Sequence, residues 1–147
     1  MDILKLSKSL ASADKDIRYA ALSVIQSRWL EIHRSSYKKI CYGLFFLYWH
    51  GDDVDRQLKD SQSICDLMIP LSNSNFMAFC LSMLEVMKKL WHRIDYDRID
   101  KFLKFTKNFF KSVYKKLNSL KSKATFKYWN NYLSCRLFVD SKGFINS

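Results

Sequence analysis

Proline occurs once and glycine three times in 147 residues. Sheets built of short strands need turn residues between them, so this scarcity leaves room for little but helices joined by short polar loops. Long apolar runs are missing too. The longest, Cys41 to Trp49, is stopped by His50-Gly51-Asp52-Asp53. It is far short of the roughly 20 residues a membrane-spanning helix requires. Lys5 and Lys8 interrupt the apolar pattern at the start, so no secretory leader is expected. The reading is of a soluble, intracellular protein. Cys41, Cys65, Cys80 and Cys135 form no C-x-x-C pair, and each lies in an apolar stretch. Buried thiols account for that better than a disulfide framework or a metal site.

The familiar catalytic spacings are absent as well. His33, His50 and His92 are scattered, with no H-E-x-x-H, no glycine-rich phosphate loop and no G-x-S-x-G elbow. The best acidic cluster is Asp95, Asp97 and Asp100 around Arg98. Paired carboxylates can hold a divalent metal or exchange protons, which would make a metal-dependent nuclease. Helix chemistry explains the cluster more simply. Asp95 stands where an N-cap belongs, and Asp97 lies in the first turn, where the helix dipole favours negative charge. Asp97–Lys101 and Asp100–Lys104 have the i,i+4 spacing of helix ion pairs. The expectation is therefore no enzyme, no cofactor, no metal and no small-molecule substrate.

What the chain does have is apolar and basic residues. Hydrophobic residues make up 48% and aromatics 16%, enough to fill the core of one domain of this length. Apolar spacing predicts about seven helices. Ile3, Leu6 and Leu10 mark a short first helix. Asp14 or Asp16 caps a second, with Ile17, Ala21, Val24, Arg28 and Ile32 in helical spacing and Ala20, Ile25 and Trp29 widening its apolar face. A third runs from about Tyr37 to Trp49, apolar nearly all round and therefore central. Gly51 suits the position just past its end, and Asp52 or Asp53 can cap the fourth. The fourth carries Val54, Leu58, Cys65 and Met68, with Pro70 near its end. Asn73 or Asn75 caps a fifth that carries Phe76, Phe79, Cys80, Met83, Met87, Leu90 and Trp91. Asp95 opens the sixth and longest, to about Leu117. A polar loop covers 118–124, and a last helix carries Phe126, Trp129, Tyr132, Leu133 and Leu137. This reads as a single all-α domain over 1–140, a HEAT-like stack of antiparallel helix pairs, with a short tail at 141–147. Core packing is the default for at least three of the four tryptophans.

The net charge is +11, and it is uneven: residues 98–147 carry +10, whereas residues 51–97 carry −3. On a wheel of about 100° per residue, Ile99, Phe102, Thr106, Phe109, Val113 and Leu117 share one face of the sixth helix. Lys104, Lys107, Lys111 and Lys115 share the other, and Lys116, Lys121, Lys123 and Lys127 extend the basic run. Like charges at this spacing repel by up to a few tenths of a kcal/mol per pair. A phosphate backbone would relieve that repulsion and release counterions. The plain alternative is a solvated lysine face. A membrane surface fits less well, since neighbouring helices need the apolar face.

Two segments carry a family likeness. One is Lys39-Ile40-Cys41-Tyr42-Gly43-Leu44-Phe45-Phe46-Leu47-Tyr48-Trp49, followed by Asp52 and Gln57. The other runs from Leu90-Trp91 through Ile94-Asp95, Arg98-Ile99 and Asp100-Lys101-Phe102. Together they resemble the nucleolar ribosomal-RNA-processing protein one family, also called Nop-fifty-two. Its pattern is matched at Gly43, Leu44, Phe45, Trp49 and Asp52, and again at Trp91, Ile94, Asp95, Arg98, Asp100, Lys101 and Phe102, with Ile99 where the family has Leu. The likeness covers roughly residues 3–115. It implies a helical nucleolar factor that supports precursor-rRNA processing in pre-ribosomal particles, chiefly those of the large subunit. Its partners would be precursor rRNA and assembly proteins, and its location the nucleus and nucleolus. Family members usually carry a long charged C-terminal extension that has no counterpart in this sequence. A protein-interaction scaffold without direct RNA contact is the alternative.

Overall fold

The computed structural model describes residues 1–119, which form six α-helices and three short 3-10 turns, with no strand among the described residues. The helices are α1 (Ile3–Leu10), α2 (Lys15–Ser27), α3 (Tyr37–Trp49), α4 (Val54–Asp66), α5 (Asn73–Leu90) and α6 (Tyr96–Ser119). The expected last helix, the tail, Cys135 and Trp129 lie outside the described residues.

Cross-helix pairs give the direction of every helix. Ser7 of α1 donates to the Lys39 carbonyl of α3. Lys38 and Lys89 reach Glu85 and Tyr42 across the α3–α5 contact. Leu10, three residues after Ser7, lies against Gly43, so in both pairings the residue numbers rise together and α1, α3 and α5 run the same way. Tyr19–Asp60 and Trp29–Leu67 do the same for α2 and α4. Asn108–Ser61 and Lys116–Ile69 do so for α4 and α6. The result is three helical hairpins, α1–α2, α3–α4 and α5–α6, stacked in two layers.

The α3 helix sits centrally, as its nearly all-apolar sequence requires. It buries Tyr37, Ile40, Cys41, Leu44, Phe45, Leu47 and Tyr48. Gly43 allows the tight approach of α1: a Cβ there would stand 2.8 Å from Leu10 Cδ1 and from the Ser7 carbonyl oxygen. Trp29, Tyr37 and Phe79 form an aromatic knot, with Trp29 and Tyr37 stacked at 4.9 Å and Phe79 edge-on to both. Cys41, Cys65 and Cys80 are buried free thiols, and burial raises the pKa of each.

Several caps lie where the sequence puts them. Asp14 accepts from the Asp16 amide at 2.9 Å, and Asp53 from the Arg56 amide at 2.8 Å. Other expectations need correction. The α2 helix ends at Ser27 rather than running on to Ile32. Residues 29–31 and 34–36 form 3-10 turns that swing Trp29 and Ile32 into the core, where Trp29 Nε1 donates to the Leu67 carbonyl at 2.7 Å. Its buried face is also rotated by about one residue, taking in Arg18, Ala21, Leu22 and Ile25 and leaving Ile17 and Val24 exposed. The α4 helix ends at Asp66 and buries Asp60, Ser61, Ile64 and Cys65, while Val54 and Leu58 face solvent. Ser72, not Asn73 or Asn75, precedes α5 as its cap residue. Gly51 stands just past the α3 cap residue His50, as expected, without needing a positive φ. Its carbonyl also matters, as described below.

Candidate nucleic-acid interface

The α6 helix divides into three faces. The inner face buries Phe102, Phe105, Phe109, Val113 and Leu117 against the core. Ile99 and Thr106, expected on this face, are only half-buried, and the face extends instead to Phe105, with Phe102 at its centre. The flank toward α4 carries Asn108, which donates to Ser61 Oγ at 2.7 Å, and Lys116, whose ammonium donates to the Ile69 carbonyl at 2.5 Å. The outer face carries Lys104, Lys107, Lys111 and Lys115, all exposed. Lys104, Lys107, Lys111 and Lys115 are thus brought together in one row. Lys116 is turned toward the α4–α5 corner, and Lys121 and Lys123 lie outside the described residues. From Lys101 to Ser119 the chain has six lysines and no acidic residue, so nothing on this stretch of helix neutralises the row.

The motif residues have a different arrangement. Lys101 was expected to pair with Asp97 on the surface of its own helix. Instead it is buried, and its ammonium donates to three carbonyls at the end of α3: Tyr48 at 2.9 Å, Trp49 at 2.7 Å and Gly51 at 2.9 Å. Carbonyls at a helix C-terminus lack intrahelical partners and carry partial negative charge, so a buried cation is well placed there. Arg98 joins it: Nε donates to the Trp49 carbonyl at 3.2 Å, and the guanidinium lies 4.6 Å from the Trp49 ring centroid. Asp95 accepts from the Arg98 amide at 3.1 Å, confirming the expected cap, and its second oxygen pairs with the Arg98 guanidinium. Phe102 stacks on Phe45 at 4.7 Å. Trp49 and Trp91 pack half-buried against the core.

The two motifs are therefore two sides of one junction. Burial, followed by the Arg98 charge, lowers the Lys101 pKa from 10.5 to about 8, against the opposing pull of Asp52, Asp60 and Asp95. Asp52 contributes through that field, and Asp100 is exposed at the start of α6. The wheel could have flagged Lys101, because it falls beside Phe105 rather than in the row of four. Two further polar groups escaped sequence reasoning. Arg18 is buried and donates to the Ser12 and Ala13 carbonyls, holding the α1–α2 turn. Asp60 is buried and accepts from the Tyr19 hydroxyl at 2.8 Å. Neither position carries a sequence signal beyond helical spacing.

With the junction in view, the comparison with known families is direct. The model of the family described as nucleolar protein Nop52 matches residues 1–147. The chain belongs to this family. A search of curated proteins finds no match. Of the motif residues that carried the resemblance, Phe45, Trp49, Asp95, Arg98, Lys101 and Phe102 lock α6 onto the end of α3, so this part of the signature marks a structural joint, while Gly43 serves the contact with α1. The exposed lysine row lies outside that joint. Among the described residues, no three His, Cys, Asp or Glu side chains come close enough to hold a metal ion, and no helix is long and apolar enough to cross a membrane.

Proposed function

We propose that this chain is a non-catalytic ribosome-assembly factor. It would work in the nucleolus on precursor rRNA within pre-ribosomal particles, chiefly those of the large subunit, alongside other assembly proteins. The observation that carries the reading is the exposed row of Lys104, Lys107, Lys111 and Lys115 on the outer face of a helix whose inner face is fixed in the core. A rigid row of cations pre-positions phosphate contacts without a folding step, and each contact releases counterions. Membership of the nucleolar family supports the same compartment and process. The carboxylate best placed for chemistry, Asp95, is engaged in capping and pairing with Arg98, which supports a binding role over catalysis.

The test replaces Lys104, Lys107, Lys111 and Lys115 with Gln and measures association with precursor-rRNA particles across salt. Weaker association with a shallower salt dependence is expected. Unchanged association with an unchanged slope would remove the RNA role. One observation favours the second reading, a protein-interaction scaffold: Val54 and Leu58 on α4 are 72% and 69% exposed. Contiguous exposed aliphatics commonly mark protein contacts. On that reading Leu58→Ser would lose copurifying assembly proteins, and the isolated protein would ignore RNA at physiological salt.

A further inference from the structure

Charge counted along the sequence hides an arrangement made by the fold. The α1, α3 and α5 helices carry Lys5, Lys8, Lys38, Lys39, Lys88 and Lys89 and a single acidic residue, Glu85. All six lysines are exposed. The α2 and α4 helices carry four basic and four acidic residues. Most of the acids that make residues 51–97 negative lie on α4 or in the turns before α4 and α6, outside the α1–α3–α5 layer.

The six lysines also stand at one level. α3 lies between α1 and α5, and cross-helix contacts set the register. Ser7 donates to the Lys39 carbonyl, Lys38 Nζ lies 3.5 Å from Glu85, and Lys89 Nζ lies 5.7 Å from the Tyr42 ring centroid. Because the three helices run the same way, all three lysine pairs fall beside the first two turns of α3, a height of about 10 Å at 1.5 Å per residue. Neighbouring helix axes lie roughly 8–10 Å apart, so the lysines form a band about 20 Å long across the layer. Glu85 offsets one of its charges.

The α6 row points the other way. The inner face of α6 packs toward α3, where Phe102 stacks on Phe45, so the lysines of its outer face project away from the α1–α3–α5 layer. The protein thus carries cations on both broad sides of its two-layer stack. Like charges gathered at this spacing repel one another, and a phosphate backbone relieves the repulsion and releases counterions. A protein partner suits the band less well, because interface cores are depleted in lysine. One rigid RNA segment cannot lie on two faces that point apart. Resting on the RNA reading above, we infer that the lysine band across α1, α3 and α5 is a second RNA-backbone contact, so that one chain holds two RNA segments at once, one on each side. Lysines contact phosphates rather than base edges, so the second contact is independent of sequence.

The experiment asks whether the full chain bridges two RNAs. One hairpin RNA is fixed to beads, and a fluorescent hairpin of unrelated sequence is added with the protein. The wild type should carry the fluorescent hairpin to the beads. A band variant replaces Lys5, Lys8, Lys39 and Lys89 with Gln and leaves Lys38 in its pair with Glu85. It should still bind the fixed hairpin, which also shows that it folds, but should lose the fluorescent one. The α6 lysine-to-Gln variant should behave in the same way, through the band alone. Bridging retained by the band variant would overturn the inference, because paired copies using α6 alone would then explain it. Wild type that binds the fixed hairpin without bridging, and loses it when the α6 row is replaced, would also overturn the inference while the RNA reading survives. Wild type that binds no RNA would overturn both.

Discussion

Tyr48 and Lys101 bond each other twice. The Tyr48 hydroxyl donates to the Lys101 carbonyl at 2.7 Å, and the Lys101 ammonium donates to the Tyr48 carbonyl at 2.9 Å. One residue closes α3 and the other lies in the first turns of α6, 53 positions away. The reciprocal pair fixes where α6 starts and how it is rotated. That rotation turns the phenylalanines inward and aims the lysine row at solvent.

Lys101→Met should therefore destabilise the fold although it removes a buried charge. Three carbonyls lose a charged donor, and hydrogen bonds to charged groups contribute about 1.5–3 kcal/mol each before desolvation is counted. Relief of the burial cost offsets part of this. A net loss of roughly 2–3 kcal/mol in urea unfolding is expected, and an unchanged midpoint would show that the triple cap contributes nothing.

The same site sets a pH dependence. The Lys101 pKa falls from 10.5 to about 8 on folding, so between those values the unfolded chain binds more protons. Stability must then rise with pH across that window from this residue alone. Tyr19 and Tyr48 act oppositely. Burial is the main cause raising each from 10.0 to about 12, and their contribution is lost as pH climbs through that range. Cys41, Cys65 and Cys80, raised above 9.0 chiefly by burial, add a further loss that begins near pH 9. The whole protein should weaken above about pH 9. The stability difference between wild type and Lys101→Met should nevertheless grow from pH 8 to 10.5, measured by denaturant titration at each pH.

Gly43→Ala and Gly51→Ala should separate cleanly. At Gly43 the added methyl meets Leu10 and the Ser7 carbonyl at 2.8 Å, and the α1–α3 contact has to open. Overpacking of this kind costs about 1–3 kcal/mol, more than the roughly 1 kcal/mol that alanine gains over glycine in a helix. At Gly51 the nearest neighbour is the Tyr48 carbonyl at 3.4 Å and φ is not positive, so a near-neutral change is expected. Thermal melts of the two variants check both.

Within α6, Lys116 should behave unlike its neighbours. Its ammonium is engaged by the Ile69 carbonyl, so Lys116→Met should lower thermal stability slightly and leave the salt dependence of RNA binding unchanged. Replacing the row of four by Gln should reduce the magnitude of the log–log salt slope by about 3 for a single strand, at about 0.7 per phosphate contact. Equal slope changes for Lys116 and for a single row lysine would contradict the division between flank and outer face.

Much of this was legible in the residues themselves. The scarcity of proline and glycine and the apolar spacing specified helices, and Asp14, Asp53 and Asp95 marked where three of them begin, because capping is a local interaction between a side chain and its own next turn. The lysine row could be read for the same reason: Lys104, Lys107, Lys111 and Lys115 share a face by helical geometry alone. The motif residues carried the family.

Tertiary structure decided what lies across from each face. Periodicity shows that a helix hides one side but not which neighbour covers it. Ile17 and Val24 were therefore assigned inward when Leu22 and Arg18, the latter held by the α1–α2 turn, are the buried residues. Ile32 left its helix because the core offered Trp29 the Leu67 carbonyl, a partner 38 residues away. Lys101 looked like one more surface cation paired with Asp97, four residues before it. Only the bare carbonyls at the end of α3, brought within 3 Å of its ammonium by the fold, make it a buried cap.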